Sequence, residues 1–163
     1  MTAQAPPLPI LVFGYGNPSR GDDALGPELI RLLELELKGT PLQQRVDLLT
    51  DYQLQIEHLL DLEGREQVIF VDADVTLQEP FSFDRMVPEE VSSYTTHAVP
   101  PASLLKLYHD HFTNEAPTSY LLAIRGEQFN LGEPISQGGR DNLDRAMIFL
   151  LEWLLENGEI NAS

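Results

Sequence analysis

Residues 10–26 read Ile10-Leu-Val-Phe-Gly-Tyr-Gly-Asn-Pro-Ser-Arg-Gly-Asp-Asp-Ala-Leu-Gly26, and their reading decides the fold. The opening apolar run is too short for a helix and rich in branched residues, so it reads as a buried strand. Gly14, Gly16, Asn17, Pro18, Ser19 and Gly21 then break the chain at the strand's carboxyl end. Asp22 and Asp23 stand where a helix begins, and Leu25, Leu29, Leu32 and Leu33 keep helical spacing. A strand, a glycine loop and a helix open an α/β sheet protein, whose ligands gather beyond the carboxyl ends of the strands. Two carboxylates sit at that spot.

The loop does not have the pattern of a phosphate cradle. A GxGxxG begun at Gly14 needs glycine at position 19, which is Ser19, and no Gly-Lys-Ser/Thr follows. The aspartates also stand where a pyrophosphate would meet the helix N-terminus. For Asp22 the simplest role is capping, since Asp suits both the N-cap and the positive end of the helix dipole. One cap needs one carboxylate, which leaves Asp23 for chemistry.

Outward from this stretch, the first helix is predicted from about Asp23 to Lys38, stopped by Gly39 with Thr40-Pro41 beyond. Residues 46–50 read as a second strand, followed by a polar stretch from Asp51 to His58 and a short helix through Leu59, Leu60 and Leu62. Residues 68–71, Val-Ile-Phe-Val, form the continuous apolar run of a strand buried on both faces, and deliver Asp72-Ala-Asp74 to its end. Asp23, Asp51 and Asp72 therefore reach the same sheet edge. Residues 81–87 suit a short edge strand, and residues 92–97 a loop. Pro100-Pro101 starts a helix carried by Leu104, Leu105 and Tyr108. Residues 120–124 are a further buried strand, and Leu143, Ala146, Met147, Leu150, Leu151 and Leu154 mark a last amphipathic helix. This order implies an α/β protein: a three-layer α/β/α sandwich around a mostly parallel sheet, with an antiparallel edge strand as an option. A single domain is expected over residues 9–157, with a disordered leader over 1–8 and a flexible tail over 158–163.

The 163 residues suffice for one domain with a sizeable core. With 26 acidic against 10 basic residues the net charge is -16, which repels nucleic acid and anionic membranes and favours a basic or metal-bearing partner. No cysteine is present, so disulfides, iron–sulfur clusters and thiol nucleophiles are excluded, and any metal must be held by oxygen and imidazole. No run has the length of a transmembrane helix, and the first residues lack the pattern of a signal peptide, so a cytoplasmic protein is expected.

Two Asp and one His on neighbouring strand ends would bind a divalent metal and leave coordination positions open. His97, three residues before the Pro-Pro start of a helix, is the best-placed imidazole, although a lone loop histidine is more often a surface residue. His58 falls in a helix-like run, and His109 and His111 close a helix two residues apart, where they do not share a face. Asp72 and Asp74 could serve as a carboxylate pair, but Asp74 suits the start of a loop. The Gly-x-Ser-x-Gly elbow of α/β hydrolases is missing.

Over nearly its whole length the sequence resembles the nickel-iron hydrogenase maturation endopeptidases. The most specific part is the block from Ile10 to Gly26, similar to the family's strand-G-x-G-N signature with its acidic pair. Val68-Ile-Phe-Val-Asp-Ala-Asp74 resembles the block with the second metal-binding acid, and Thr95-Thr-His97 matches the family histidine by position. The resemblance implies that Asp23, Asp72 and His97 are the catalytic residues and contact nickel. That nickel would arrive with the substrate, a hydrogenase large-subunit precursor carrying a C-terminal extension. No nucleic acid or membrane partner is implied, and a monomer is expected. Where many relatives have a Gly-Thr-rich turn, residues 51–57 read Asp-Tyr-Gln-Leu-Gln-Ile-Glu, similar to the branch serving cytoplasmic, cofactor-reducing hydrogenases. Two other functions fit the same residues: a non-catalytic nickel checkpoint for the precursor, and a divalent-metal hydrolase of small molecules.

Overall fold

β1 (Ile10–Tyr15) becomes the centre of the molecule because it pairs in parallel on both sides, with β2 (Val46–Asp51) and with β3 (Gln67–Asp74). The computed structural model describes residues 6–90 and 99–158. Within them, β5 (Thr118–Arg125) pairs in parallel with β3, and β4 (Phe81–Met86) closes the sheet antiparallel to β5. The strand order is β2-β1-β3-β5-β4, and the option left open for residues 81–87 resolves as an antiparallel edge strand. The helices are α1 (Leu25–Leu37), α2 (Leu59–Leu62), α3 (Pro101–His111) and α4 (Gln137–Gly158).

Alternation along the strands sorts the core into two halves. Ile10, Val12, Ile69, Val71, Leu122 and Ile124 pack on one face with Leu29 and Leu33 of α1 and Leu143, Leu150 and Leu154 of α4. Leu11, Phe13, Val68 and Phe70 pack on the other with Leu62 of α2 and Leu104, Leu105 and Tyr108 of α3. The strands are covered on both sides, which is why they read as unbroken apolar runs. The result is the three-layer α/β/α sandwich.

Two glycines of the first block let α1 lie directly on the sheet. A Cβ on Gly14 would come within 2.3 Å of the Gly26 carbonyl oxygen, and one on Gly26 within 2.7–2.8 Å of the carbonyl oxygens of Tyr15 and Val71. No side chain fits there, so the helix start is fixed against β1 and β3.

The structure moves two boundaries. The first helix begins as a 3-10 turn over Gly21–Ala24 and becomes α-helical only at Leu25. β2 and β3 run on to Asp51 and Asp74, so Asp51 and Asp72 belong to the strands rather than to the loops beyond. Asp22 does not cap α1, contrary to expectation: Arg20 occupies the N-cap of the 3-10 turn, with no side-chain cap. The fully buried Asp22 carboxylate instead reaches the N-terminus of α4. There it accepts the amides of Glu127 (2.7 Å), Gln128 (3.1 Å) and Ser136 (2.7 Å) and the Ser136 hydroxyl (2.7 Å). The Ser136 hydroxyl in turn accepts the Gly139 amide at 2.9 Å, capping α4. The positive end of the α4 dipole adds to the stabilisation of this charge. No helix among the described residues is long and apolar enough to cross a membrane.

Candidate active site at the carboxyl edge of the sheet

The glycine loop and the ends of β1, β2 and β3 form one rim. Gly16 has φ +147° and donates its amide to the Asp51 carbonyl oxygen at 3.0 Å. A Cβ on Gly16 would lie 2.0 Å from the Asp23 carbonyl oxygen, so only glycine allows the loop to fold back over the helix start. One carboxylate oxygen of Asp23 accepts the Asn17 amide at 2.8 Å. The Asn17 side chain accepts the Ser19 amide at 2.9 Å and holds the turn. The loop thus anchors Asp23 through a single carboxylate oxygen.

Asp72 lies near the end of β3, mostly buried. Burial, above all, pushes its carboxyl up to about 7, and the charges of Asp23 and Asp74 push the same way. The Ala73 amide and the Tyr15 hydroxyl oppose the rise by hydrogen bonding to the carboxylate. Burial, then the charge of Asp72, holds the Tyr15 phenol far above its ordinary range, so it stays a donor at any working pH. The charge of Asp23 is thus felt by Asp72 across the rim. Among the described residues no trio of His, Asp and Glu is gathered to hold a metal ion. His97, expected as the third ligand, lies outside the described residues. They resume before α3, where buried Val99 donates its amide to the Leu54 carbonyl oxygen at 3.1 Å.

The other candidates separate clearly. Asp74 accepts the Thr76 amide at 2.8 Å and the Thr76 hydroxyl at 2.6 Å, a turn-forming role. His109 and His111 are exposed in the last turn of α3. His58 is buried edge-on against Phe13, with ring centroids 4.8 Å apart. Its Nδ1 accepts the Gln55 amide at 2.8 Å, so the ring proton sits on Nε2 and donates to Asp51 at 3.1 Å. Beside Asp51, an open groove of about 200 Å³ is lined by Gly16, Pro18, Pro27, Thr50, Asp51 and Tyr52.

Sequence reasoning missed the nearness of Tyr15 to Asp72 and the bond His58–Asp51. The first was open to discovery: parallel register with β3 puts the residue after Gly14 beside the one after Val71. The second depends on how residues 52–57 fold back, for which the sequence carries no periodic signal.

No protein-family model matches the chain, and no curated protein matches it in sequence. Solved structures do. The hydrogenase maturating endopeptidase HybD from Escherichia coli is 25% identical over 93% of this chain and 94% of its own, with a TM-score of 0.69. A hydrogenase 2 maturation peptidase from a Thaumarchaeota archaeon is 25% identical over 89% of this chain and 97% of its own, at 0.60. The [NiFe] hydrogenase maturation protease HycI from Thermococcus kodakarensis shares the fold at 24% identity over 91% and 92%, at 0.68.

Proposed function

We propose that this chain, by its fold a member of the [NiFe] hydrogenase maturation endopeptidases, cleaves the C-terminal extension from a nickel-loaded hydrogenase large-subunit precursor. The observation that carries the reading is the like-charged pair of Asp23 and Asp72 at the rim, on a backbone shared with those peptidases over about nine-tenths of the chain. A second carboxylate whose charge reaches Asp72 favours an incoming cation over two bare charges. In this reading Asp23, Asp72 and His97 complete the coordination of nickel that the precursor brings.

The chemistry follows from that placement. Nickel held between substrate and rim polarises the scissile carbonyl or acidifies a bound water, the two ways a metal ion promotes hydrolysis. A carboxylate oxygen not engaged with the metal would accept the water's proton. The peptide bond breaks with water added across it, giving a new carboxylate on the mature subunit and a free amine on the released extension. The groove along Thr50, Asp51 and Tyr52 offers a berth for the peptide. Tyr52, which lines it, is exposed, as are Ile56 and Leu60 further along the chain, apolar surface suited to a protein partner.

The purified chain, incubated with nickel-loaded and with nickel-free precursor from the same organism, tests the reading. Loss of the extension's mass from the loaded form alone supports it. An unchanged mass in both tubes leaves a nickel checkpoint in its place. Cleavage of the nickel-free form removes the metal from the mechanism.

A further inference from the structure

A second hollow adjoins the groove beside Asp51, and the chemistry above gives it no part. It measures about 310 Å³ and opens between the first loop, α1 and the start of α4. Pro18 and Pro27 line it as well as the groove, so the two hollows meet at these prolines. Ala24, which follows Asp23 in the chain, lines it too, and Ile135 adds a further apolar wall. Against these walls stand three charged side chains. Glu28 of α1 pairs through one oxygen with Arg31 of the same helix, and through the other with Arg140, in the first turn of α4, at 3.1 Å. The Glu28 side chain is only 16% exposed, whereas those of Arg31 and Arg140 are 60% and 40% exposed. Among the described residues no other carboxylate pairs with either arginine. Two guanidinium groups against one carboxylate leave one positive charge over, at the mouth of the hollow.

We propose that this hollow binds a carboxylate of the precursor's C-terminal extension, received by the guanidinium groups of Arg31 and Arg140. The inference rests on the function proposed above and adds the part of the substrate that is read beside the cleavage site. A guanidinium presents its N–H donors in a planar fork that matches a carboxylate with two parallel bonds. Arg31 meets Glu28 through Nε and Arg140 through one terminal nitrogen, which keeps the other donors for a ligand. Glu28 also holds two long side chains in place before any ligand arrives, which lowers the entropy cost of binding. The apolar walls keep water from one side of the site and strengthen the attraction. Elsewhere the molecule turns such a group away: with 26 acidic against 10 basic residues, most of the surface repels a carboxylate. A peptide with its scissile bond at the rim and an acidic group a few residues away therefore settles in one register, and the register decides which bond is cut.

The test measures KM and kcat on nickel-loaded precursor for the unaltered chain and for the double variant Arg31→Gln with Arg140→Gln. Lys38→Gln with Arg145→Gln, which removes two positive charges from exposed positions outside the hollow, is the control. Loss of the charge-assisted hydrogen bonds raises KM by about tenfold in the first variant and leaves kcat unchanged. The control keeps KM near its original value. Two altered precursors name the source of the carboxylate: one has its terminal carboxylate amidated, the other has the Asp and Glu of its extension changed to Asn and Gln. The precursor that raises KM for the unaltered chain, with no further rise for the double arginine variant, has lost the group that binds. An unchanged KM in that variant, an equal rise in the control, or two altered precursors that behave like the original each overturns the inference and leaves the proposed function standing. So does a fall in kcat alone, the mark of lost folded enzyme. Failure of the unaltered chain to cleave sinks the proposed function, and the inference with it.

Discussion

At the scale of single residues, the two aspartates Asp22 and Asp72 have opposite environments. The Asp22 carboxyl is pushed up by burial, but the hydrogen bonds from Glu127, Ser136 and Gln128 outweigh this and hold it below the ordinary carboxylate range. A lowered folded-state value stabilises the protein above the ordinary range, and the contribution is lost as the pH falls through it. Asp22→Ala leaves four part-buried donors without their acceptor and is expected to cost ~3 kcal/mol, read from denaturant unfolding at neutral pH. Asp72 runs the other way. Its raised carboxyl, at about 7 against 3.8, binds a proton in the fold that the unfolded chain releases, so stability falls as the pH rises between those values. Asp72→Asn removes that penalty. It should abolish cleavage yet make the fold more stable than its parent, by an amount that grows from about pH 4 to about pH 7 and reaches at most ~4 kcal/mol. A variant no more stable than its parent at the higher pH would show the carboxyl to be unperturbed. The sequence made Asp72 visible because a strand end announces it; the true place of Asp22 stayed hidden because its partners lie more than a hundred residues away.

At the scale of elements, the sequence was legible where burial is two-sided and illegible where a contact sets the geometry. The runs at residues 10–13, 68–71 and 120–124 become β1, β3 and β5 because both faces are covered, and the leucine stripe of α4 packs where its period puts it. The 3-10 opening of the first helix and the partner of β4 are set by packing against other elements, which local spacing does not encode. The glycines make this concrete. Gly26→Ala drives a methyl against two carbonyl oxygens of β1 and β3, so α1 must lift off the sheet. We expect a loss of about 1–3 kcal/mol or more, and reduced cleavage as Asp23 shifts with the helix. Gly39→Ala meets nothing within 4 Å and costs only the left-handed backbone conformation at φ +78°, about 1–2 kcal/mol, with cleavage unaffected. Thermal unfolding and a cleavage assay on both variants check the contrast, and equal effects would mean that α1 does not need the close approach.

At the scale of the whole molecule, the net charge of -16 acts at a distance. It favours encounter with cationic surfaces and opposes its own compaction. Raising the ionic strength from about 0.01 M to about 0.1 M shortens the Debye length from ~30 Å to ~10 Å, and should raise KM while raising the unfolding temperature. A KM indifferent to salt would assign precursor recognition to the apolar rim alone. The bonds of Asp22 have a further consequence for how the protein is made. They span 105 to 114 positions of the chain, from the first loop to the start of the last helix. A polypeptide emerging from the ribosome therefore carries this charge without any of its donors until residues 127–136, ahead of the final helix, have appeared. A product stalled before Glu127 lacks every one of these donors, and the loop that holds Asp23 is then tied only to its own neighbours.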